Sequence, residues 1–191
     1  MKTFDYLIVL VSIVIGLAMT NVLTRLALAM QARERVNFYW PPVAWSLWIF
    51  FICVQHWWAQ WTWQFAGAPT FGLFCLQLTT PVLLFLLSAL ALPDREEDGF
   101  LNLENWYFRN RKWFFGLLFF VPLVSILEEI VRTGAMASVV NLLFLLAFSV
   151  IAAISYFITS RRAGEWVTAQ VMVMTLAYVA LLYSDINLRQ H

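Results

Sequence analysis

The sequence predicts an all-α, polytopic membrane protein in which six transmembrane helices form one bundle. Of its 191 residues, 62% are hydrophobic, 17% are aromatic and only 12% are charged, whereas a soluble domain has about 25% charged residues. This composition excludes an ordinary soluble globule and a disordered chain. The formal net charge of +1 excludes the basic surface of a nucleic-acid-binding protein. We therefore expect the lipid bilayer, and no nucleic acid, as a partner.

Six apolar runs are long enough to cross a hydrocarbon core of about 30 Å, which takes about 20 helical residues. Because no water reaches that core, each backbone polar group must be satisfied within its segment, so each run predicts a helix. The alternating pattern of a barrel strand is absent. The predicted spans are 6–28, 43–65, 71–92, 113–131, 135–159 and 166–183, which makes 1–191 a single integral-membrane domain.

The predicted connections are short, so consecutive helices should be antiparallel neighbours. Only the stretch after Pro93 is long enough for structure of its own. It places Phe100, Leu103, Trp106 and Tyr107 at helical spacing among polar residues. This pattern predicts a short amphipathic helix in the headgroup plane, around 100–111. An irregular loop with incidental aromatic residues is the alternative.

Lysine and arginine are unequally distributed between the two sides of the predicted spans. Nine lie on one side, with the first, third and fifth connections, and three lie on the other. The two sets are Arg25, Arg33, Arg35, Arg95, Arg109, Arg111, Lys112, Arg161 and Arg162 against Lys2, Arg132 and Arg189. Since positive residues favour the cytoplasmic side, the odd-numbered connections should be cytoplasmic. Both termini should then be extracytoplasmic, in a plasma or inner membrane.

The first span carries small side chains at a strict interval of four residues: Ser12, Gly16, Thr20 and Thr24. Residues four apart share one face of a helix, and small residues let two membrane helices approach closely. The stripe therefore predicts a helix–helix seam. A contact in a homo-oligomer, or with another membrane protein, is one version of that seam.

The ten tryptophans are concentrated in the second span. Because an indole has an apolar ring and an N–H that needs a partner, tryptophan favours the membrane interface. The group Trp40, Trp45 and Trp48 and the group Trp57, Trp58, Trp61 and Trp63 therefore predict two aromatic belts. Alternatively, Trp57 and Trp61 form an aromatic wall that stacks on a ligand.

Polar side chains inside the spans are costly in lipid and are the first candidates for a functional site. Most fall at one depth, in the outer third of the bilayer. The predicted binding cluster is His56, Gln60, Gln77, Glu128, Glu129, Arg132 and Asn141. The four-residue spacing predicts an ion pair between Glu128 and Arg132, which leaves Glu129 in need of a donor. A wet collar of interfacial side chains is the alternative.

Enzyme motifs do not support catalysis. No H-E-x-x-H, G-x-S-x-G or P-loop pattern occurs. The residues from Glu128 to Arg132 resemble the E-E-x-x-x-R motif of CAAX-type membrane proteases, but the arginine comes one residue early. Only His56 lies in a predicted span, which excludes bis-histidine haem within one chain. A metal site of His56 with Glu128 or Glu129 is chemically feasible but lacks a spacing motif. We predict no catalytic or metal-ligating residues, and the sequence identifies no cofactor.

Three functions remain. The first is a non-enzymatic accessory subunit, or a bundle that binds a small ligand or lipid. The second is a transporter or channel for a proton, small cation or small solute. It requires polar residues toward the cytoplasmic face, where those present are sparse: Thr24, Ser88, Ser149, Ser155, Thr168 and Gln170. The third, an intramembrane enzyme acting on lipid or peptide, has the least support.

Overall fold

A computed structural model of the chain describes residues 3–60, 70–94, 100–135 and 138–188. The all-α prediction is confirmed for these residues. The helices are α1 (Thr3–Gln31), α2 (Trp40–Ala59), α3 (Phe71–Ala91), α4 (Leu103–Thr133), α5 (Val139–Phe157) and α6 (Arg161–Leu188). A 3-10 turn at Arg33–Arg35 precedes a two-residue strand, β1 (Val36–Asn37), and β2 (Leu101–Asn102) precedes α4.

Among the described residues, four segments are long and apolar enough to cross a membrane: Ile8–Gln31 of α1, and the whole of α3, α4 and α5. Their length and composition are those of membrane-spanning helices. This criterion does not confirm the other two of the six predicted spans, which lie in α2 and α6. The described part of α2 holds five tryptophans, two prolines, a glutamine and a histidine, whose polar groups lower its hydropathy. Residues 61–65 of the predicted second span lie outside the described residues.

The predicted short interfacial helix around 100–111 is wrong, and so is the irregular loop that was its alternative. Residues 103–112 are the first turns of α4, a continuous helix of 31 residues, about 46 Å long at 1.5 Å per residue. The Asn102 side chain caps its start by accepting from the Asn105 amide. No proline or glycine interrupts the chain before Gly116, so nothing ends the helix at the membrane interface.

The three odd-numbered connections meet at one end of the bundle. A parallel pairing that the sequence analysis did not predict joins β1 to β2, with Val36 opposite Leu101. Tyr39, just before α2, donates its hydroxyl to the carbonyl oxygen of Arg161, the first residue of α6, at 3.3 Å. Consecutive helices therefore alternate in direction. We call this the basic end, because it carries Arg25, Arg33, Arg35, Arg109, Arg111, Lys112, Arg161 and Arg162.

Of the four stripe residues of α1, Ser12 is partly buried and accepts a hydrogen bond of 3.2 Å from Trp57 of α2, whereas the other three face away from the described part of the bundle. Gly16, Thr20 and Thr24 are exposed, and nothing lies within 4 Å of a Cβ placed on Gly16. The buried face of α1 is instead Val11, Ile15, Ala18 and Val22.

Polar contacts add to the seam between α1 and α3. Asn21 donates to Ser88 at 2.9 Å, and Arg25 donates to the carbonyl oxygen of Leu92. Side-chain interlocking and these hydrogen bonds hold the two helices together, so they need no small-residue face.

Two tryptophans assigned to an aromatic belt are buried inside the bundle. Trp45 and Trp48 are 1% and 6% exposed, and their indole N–H groups donate to Thr168 at 3.1 Å and Thr175 at 2.8 Å. The belt prediction is wrong for this pair, because a hydroxyl on α6 satisfies each indole and no headgroup is needed. These bonds fix α6 against α2 along one side of the site described below.

Candidate functional site

A cavity of about 250 Å³ lies inside the bundle, nearer the end opposite the basic end. Its walls come from α2, α4, α5 and α6, and Thr80 of α3 completes them. One end of the cavity is polar and the other is apolar and aromatic. Every helix except α1 therefore contributes residues to this one cavity.

Five of the seven residues in the predicted binding cluster line this cavity, although they come from three different helices. They are His56, Glu128, Glu129, Arg132 and Asn141. The other two are buried outside it. Gln60 follows the last residue of α2, and its Nε2 lies 2.9 Å from His56 Nε2. The Oε1 atom of Gln60 has no hydrogen-bond partner in the described part of the chain. Gln77 is buried on α3.

Glu128 is the buried carboxylate of the site. It is 8% exposed, and its Oε1 accepts a hydrogen bond of 2.7 Å from the hydroxyl of Thr80. Val121, Ser125 and Glu128 recur at intervals of three and four, so they share one inward face of α4. The fold thus carries this acid into the bundle and gives it a neutral partner on α3.

The predicted ion pair between Glu128 and Arg132 is wrong. Arg132 Nη2 donates instead to Glu129 Oε2 at 2.5 Å, three residues away rather than four. Both spacings are within reach on a helix. Glu128 faces α3, whereas Glu129 and Arg132 are partly exposed at the polar end of the cavity. The direction in which each side chain points around α4 decides which acid pairs with Arg132, and the spacing in the sequence alone does not give that direction.

A second polar contact closes the site between α5 and α6. Ser138 caps α5 by accepting from the Asn141 amide, and the Asn141 side chain accepts a 2.7 Å hydrogen bond from the hydroxyl of Tyr178. The sequence analysis missed Tyr178. A signal was present, because Thr168, Thr175 and Tyr178 recur on one face of α6 and the first two hold the buried tryptophans.

The aromatic wall of the cavity consists of Trp48 and Phe148, whose ring centroids are 6.3 Å apart at 38°. Trp57, one of the two residues predicted to form such a wall, is 50% exposed and donates to Ser12 at 3.2 Å. It does not line the cavity. Trp61 lies outside the described residues. The indole that faces the cavity therefore comes from about two and a half turns deeper in α2.

Aromatic packing closes the cavity toward the basic end. Trp45 contacts Trp48, Phe114 and Phe115 edge-on, with centroids 5.3–5.5 Å apart. The next space in that direction, beside Trp45 and Tyr107, is about 10 Å³, which is about the minimum that one water needs. Within the described part of the chain, the cavity is therefore blind at its inner end.

The described lining of the cavity holds more acids than arginines or lysines. Two acids, Glu128 and Glu129, accompany one arginine, Arg132, which pairs with Glu129. Among residues 8–60, 70–94, 100–135 and 138–180, whose side chains the structure describes, no three His, Cys, Asp or Glu side chains form a group that could hold a metal ion. A carboxylate buried in this way is stabilised by taking up a proton or by a cation that enters beside it.

Three comparisons, with family models, with curated proteins and with solved structures, find no match to this chain.

Proposed function

We propose that this chain is a six-crossing membrane protein of the plasma or inner membrane that binds a small ligand in its polar cavity. The ligand enters from the non-cytoplasmic face, and the protein is neither an enzyme nor an open channel. The observation that carries this proposal is the blind cavity, which is polar at its outer end and closed by aromatic rings at its inner end.

The orientation is supported by the basic end. Because the first, third and fifth connections meet there, eight of the nine lysine and arginine residues assigned to the cytoplasmic side lie on described residues at that end. The positive-inside rule then makes the basic end cytoplasmic. Crossing by α2 and α6 is supported by their buried polar contacts. Trp45 and Trp48 of α2 and Thr168 and Thr175 of α6 satisfy one another inside the bundle.

Binding is favoured over conduction because a channel requires a continuous polar path. The hydroxyl of Thr175, at the inner end of the cavity, and that of Thr168, two turns beyond it, are occupied by indole N–H groups and by backbone carbonyls of α6. The rings of Trp45, Phe114 and Phe115 fill the space between them and the basic end. Buried polar groups are therefore used for packing rather than for a pathway.

A second candidate function is a transporter for a proton or small cation. The buried carboxylate of Glu128 favours it, because ionisable groups within membrane helices commonly mark ion pathways. Proteoliposomes test this candidate. A proton or potassium flux that disappears in Glu128→Gln supports transport, whereas equal traces from both proteins and from empty vesicles exclude it.

The orientation is tested with single cysteines placed in a Cys53→Ala, Cys75→Ala chain. A membrane-impermeant maleimide applied to intact cells should label Thr133→Cys, at the last residue of α4, and should not label Arg162→Cys at the basic end. Labelling of Arg162→Cys alone would invert the proposed orientation and place the cavity on the cytoplasmic side.

Ligand binding is tested by filling the cavity. Ser125 lines it, whereas Leu127, two residues further along α4, is 49% exposed on the outside of the bundle. We expect mass spectrometry to identify a small molecule that copurifies with the wild type and with Leu127→Phe but not with Ser125→Phe. Identical profiles for all three proteins would contradict the proposal.

A further inference from the structure

We infer that the cavity takes an organic amine, with its ammonium group at Glu128 and a flat apolar body beside Trp48 and Phe148. This inference rests on the proposed function, since it names the ligand class for the same cavity. The charge balance is the first reason. Glu128 has a neutral partner, Thr80, and the neighbouring cation Arg132 is engaged by Glu129. The cavity therefore offers a negative site to a cation and repels an anion.

The hydrogen-bonding groups give the second reason. An ammonium group has donors only, so it needs acceptors. Thr80 occupies one carboxylate oxygen of Glu128 and leaves the other. Ser125, one turn earlier on the same face, donates its hydroxyl to the carbonyl of Val121 at 3.0 Å, so its oxygen can only accept from a ligand. Asn141 Oδ1 accepts from Tyr178 and retains a second lone pair.

The apolar end of the cavity gives the third reason, because an apolar lining favours an organic amine over a bare metal ion. Hard cations such as Ca²⁺ take about six to eight oxygen ligands, whereas the inner half of the cavity is lined by Trp48, Leu118, Val121 and Phe148. The Trp48 N–H is already bonded to Thr175, so the indole presents apolar ring surface. Aromatic faces attract cations and stack on flat rings.

The volume sets the size of the ligand. About 250 Å³ is just below the range of about 300–1,000 Å³ that small-molecule pockets span. A single-ring amine fits this space, whereas a complete phospholipid does not.

The test uses the full chain in detergent micelles and three radiolabelled probes of matched shape in equilibrium dialysis near neutral pH. The probes are phenethylamine, the neutral 2-phenylethanol and the anionic 3-phenylpropanoate. We expect phenethylamine to bind at least about tenfold more tightly than the alcohol, a difference of about 1.4 kcal/mol, and the carboxylate not to bind. Equal affinity for amine and alcohol would overturn the inference.

Two substitutions locate the amine. Glu128→Gln should weaken phenethylamine at least about tenfold and leave the alcohol unchanged. Its matched control, Glu104→Gln, removes a carboxylate from the basic end of the same helix and should change neither. Phe148→Leu removes the ring without altering charge and should weaken both probes by similar factors. This second variant keeps the test decisive if Glu128→Gln does not fold.

The probes also separate failure of the inference from failure of the proposed function. If the alcohol binds the wild type but not Ser125→Phe, and the amine shows no preference and no dependence on Glu128, the cavity binds ligands but not through a cation. If no probe depends on Ser125 and no molecule copurifies with the wild type, both proposals are excluded.

Discussion

Trp48 on α2 donates its indole N–H to the hydroxyl of Thr175 on α6 at 2.8 Å, across 127 residues of sequence. The threonine hydroxyl donates in turn to the carbonyl of Val171 on its own helix, so its oxygen is oriented to accept. Trp45 and Thr168 repeat the arrangement two turns away along α6. Because Trp48 and Thr175 both line the cavity, the bond that packs these helices also sets one wall of the site.

Removing the acceptor of this bond should destabilise the bundle. Thr175→Val leaves the Trp48 N–H buried without a partner, and we expect a loss of about 0.6–1.7 kcal/mol, between the average and the maximum found for interhelical hydrogen bonds in a membrane protein. Trp48→Phe in the same chain removes the unsatisfied donor, so the double variant should lose less than the sum of the single ones. Unfolding with increasing SDS measures each value.

Thr79→Val is the control for this cycle. Thr79 also bonds its hydroxyl to a carbonyl of its own helix, at 3.0 Å from Cys75 O, but it holds no tryptophan. A loss in Thr79→Val equal to that in Thr175→Val would show that the indole bond contributes nothing measurable.

Two glycines should respond oppositely to alanine. A Cβ on Gly164 would lie 3.3 Å from Tyr107 Cε1 and 3.3 Å from the Tyr39 hydroxyl, so Gly164→Ala should cost about 1–3 kcal/mol through overpacking. Gly16 has open space around it, so Gly16→Ala should gain up to about 1 kcal/mol from helix propensity. Thermal unfolding of the purified proteins compares them.

Gly16→Ala also tests the homo-oligomer interpretation of the stripe on α1. If a second copy packs on Gly16, the added methyl group should weaken that association. An unchanged molecular mass in size-exclusion chromatography with light scattering, together with higher stability, would exclude a close contact at this position.

The basic end should lose stability in alkali. Burial, reinforced by the nearby Tyr107, Glu165 and Glu104, raises the pKa of Tyr39 above its ordinary value, against the opposing effect of Arg161. In the unfolded chain this phenol ionises at about pH 10, whereas in the folded chain it still keeps its proton at that pH. Its contribution is therefore complete below about pH 10 and declines as the pH rises further, by at most about 1.4 kcal/mol per unit.

Tyr39→Phe should remove this dependence. We expect its unfolding free energy to fall less steeply than that of the wild type above about pH 10, with parallel curves at neutral pH. Equal slopes for both proteins throughout the alkaline range would contradict the expected shift of the Tyr39 pKa.

The two cysteines should differ in reactivity. Cys53 is fully buried, whereas Cys75 is exposed on α3. Because access limits the reaction of a thiol, maleimide should add once to the folded protein in detergent and twice after denaturation. Intact-mass spectrometry reads the number of adducts, and Cys75→Ser should remove the first. A second adduct on the folded protein would show that the packing around Cys53 opens.

Much of the helical architecture was predictable, because a long apolar run can form only a helix in lipid. The prediction of helix boundaries and of contacts between connections failed, because these features do not depend on how apolar a segment is. Residues 103–112 look like a separate amphipathic helix because their polar side chains resemble those of an interfacial segment. In the fold they belong to α4, since nothing in the backbone interrupts it. The pairing of Val36 with Leu101 joins two connections far apart in sequence, which no local pattern encodes.

The site was partly predictable for a related reason. Polar residues are costly in lipid, so depth alone brought His56, Glu128 and Asn141 into one predicted cluster, and they line one cavity. Depth does not give direction around a helix. It therefore could not show that Arg132 pairs with Glu129 or that Thr80 meets Glu128. The aromatic wall was assigned to Trp57 rather than Trp48, because the sequence does not show which tryptophan of α2 points into the cavity.

The closed inner end of the cavity has a kinetic consequence. In the proposed function the ligand enters at the polar end, where Glu129 and Arg132 lie, and a closed inner end makes it leave by the same route. A substitution that only narrows or widens that passage changes the barrier equally in both directions, so association and dissociation rate constants shift by the same factor and Kd stays constant. Residence time therefore depends on the side chains along the passage as well as on the residues that the proposal assigns to binding.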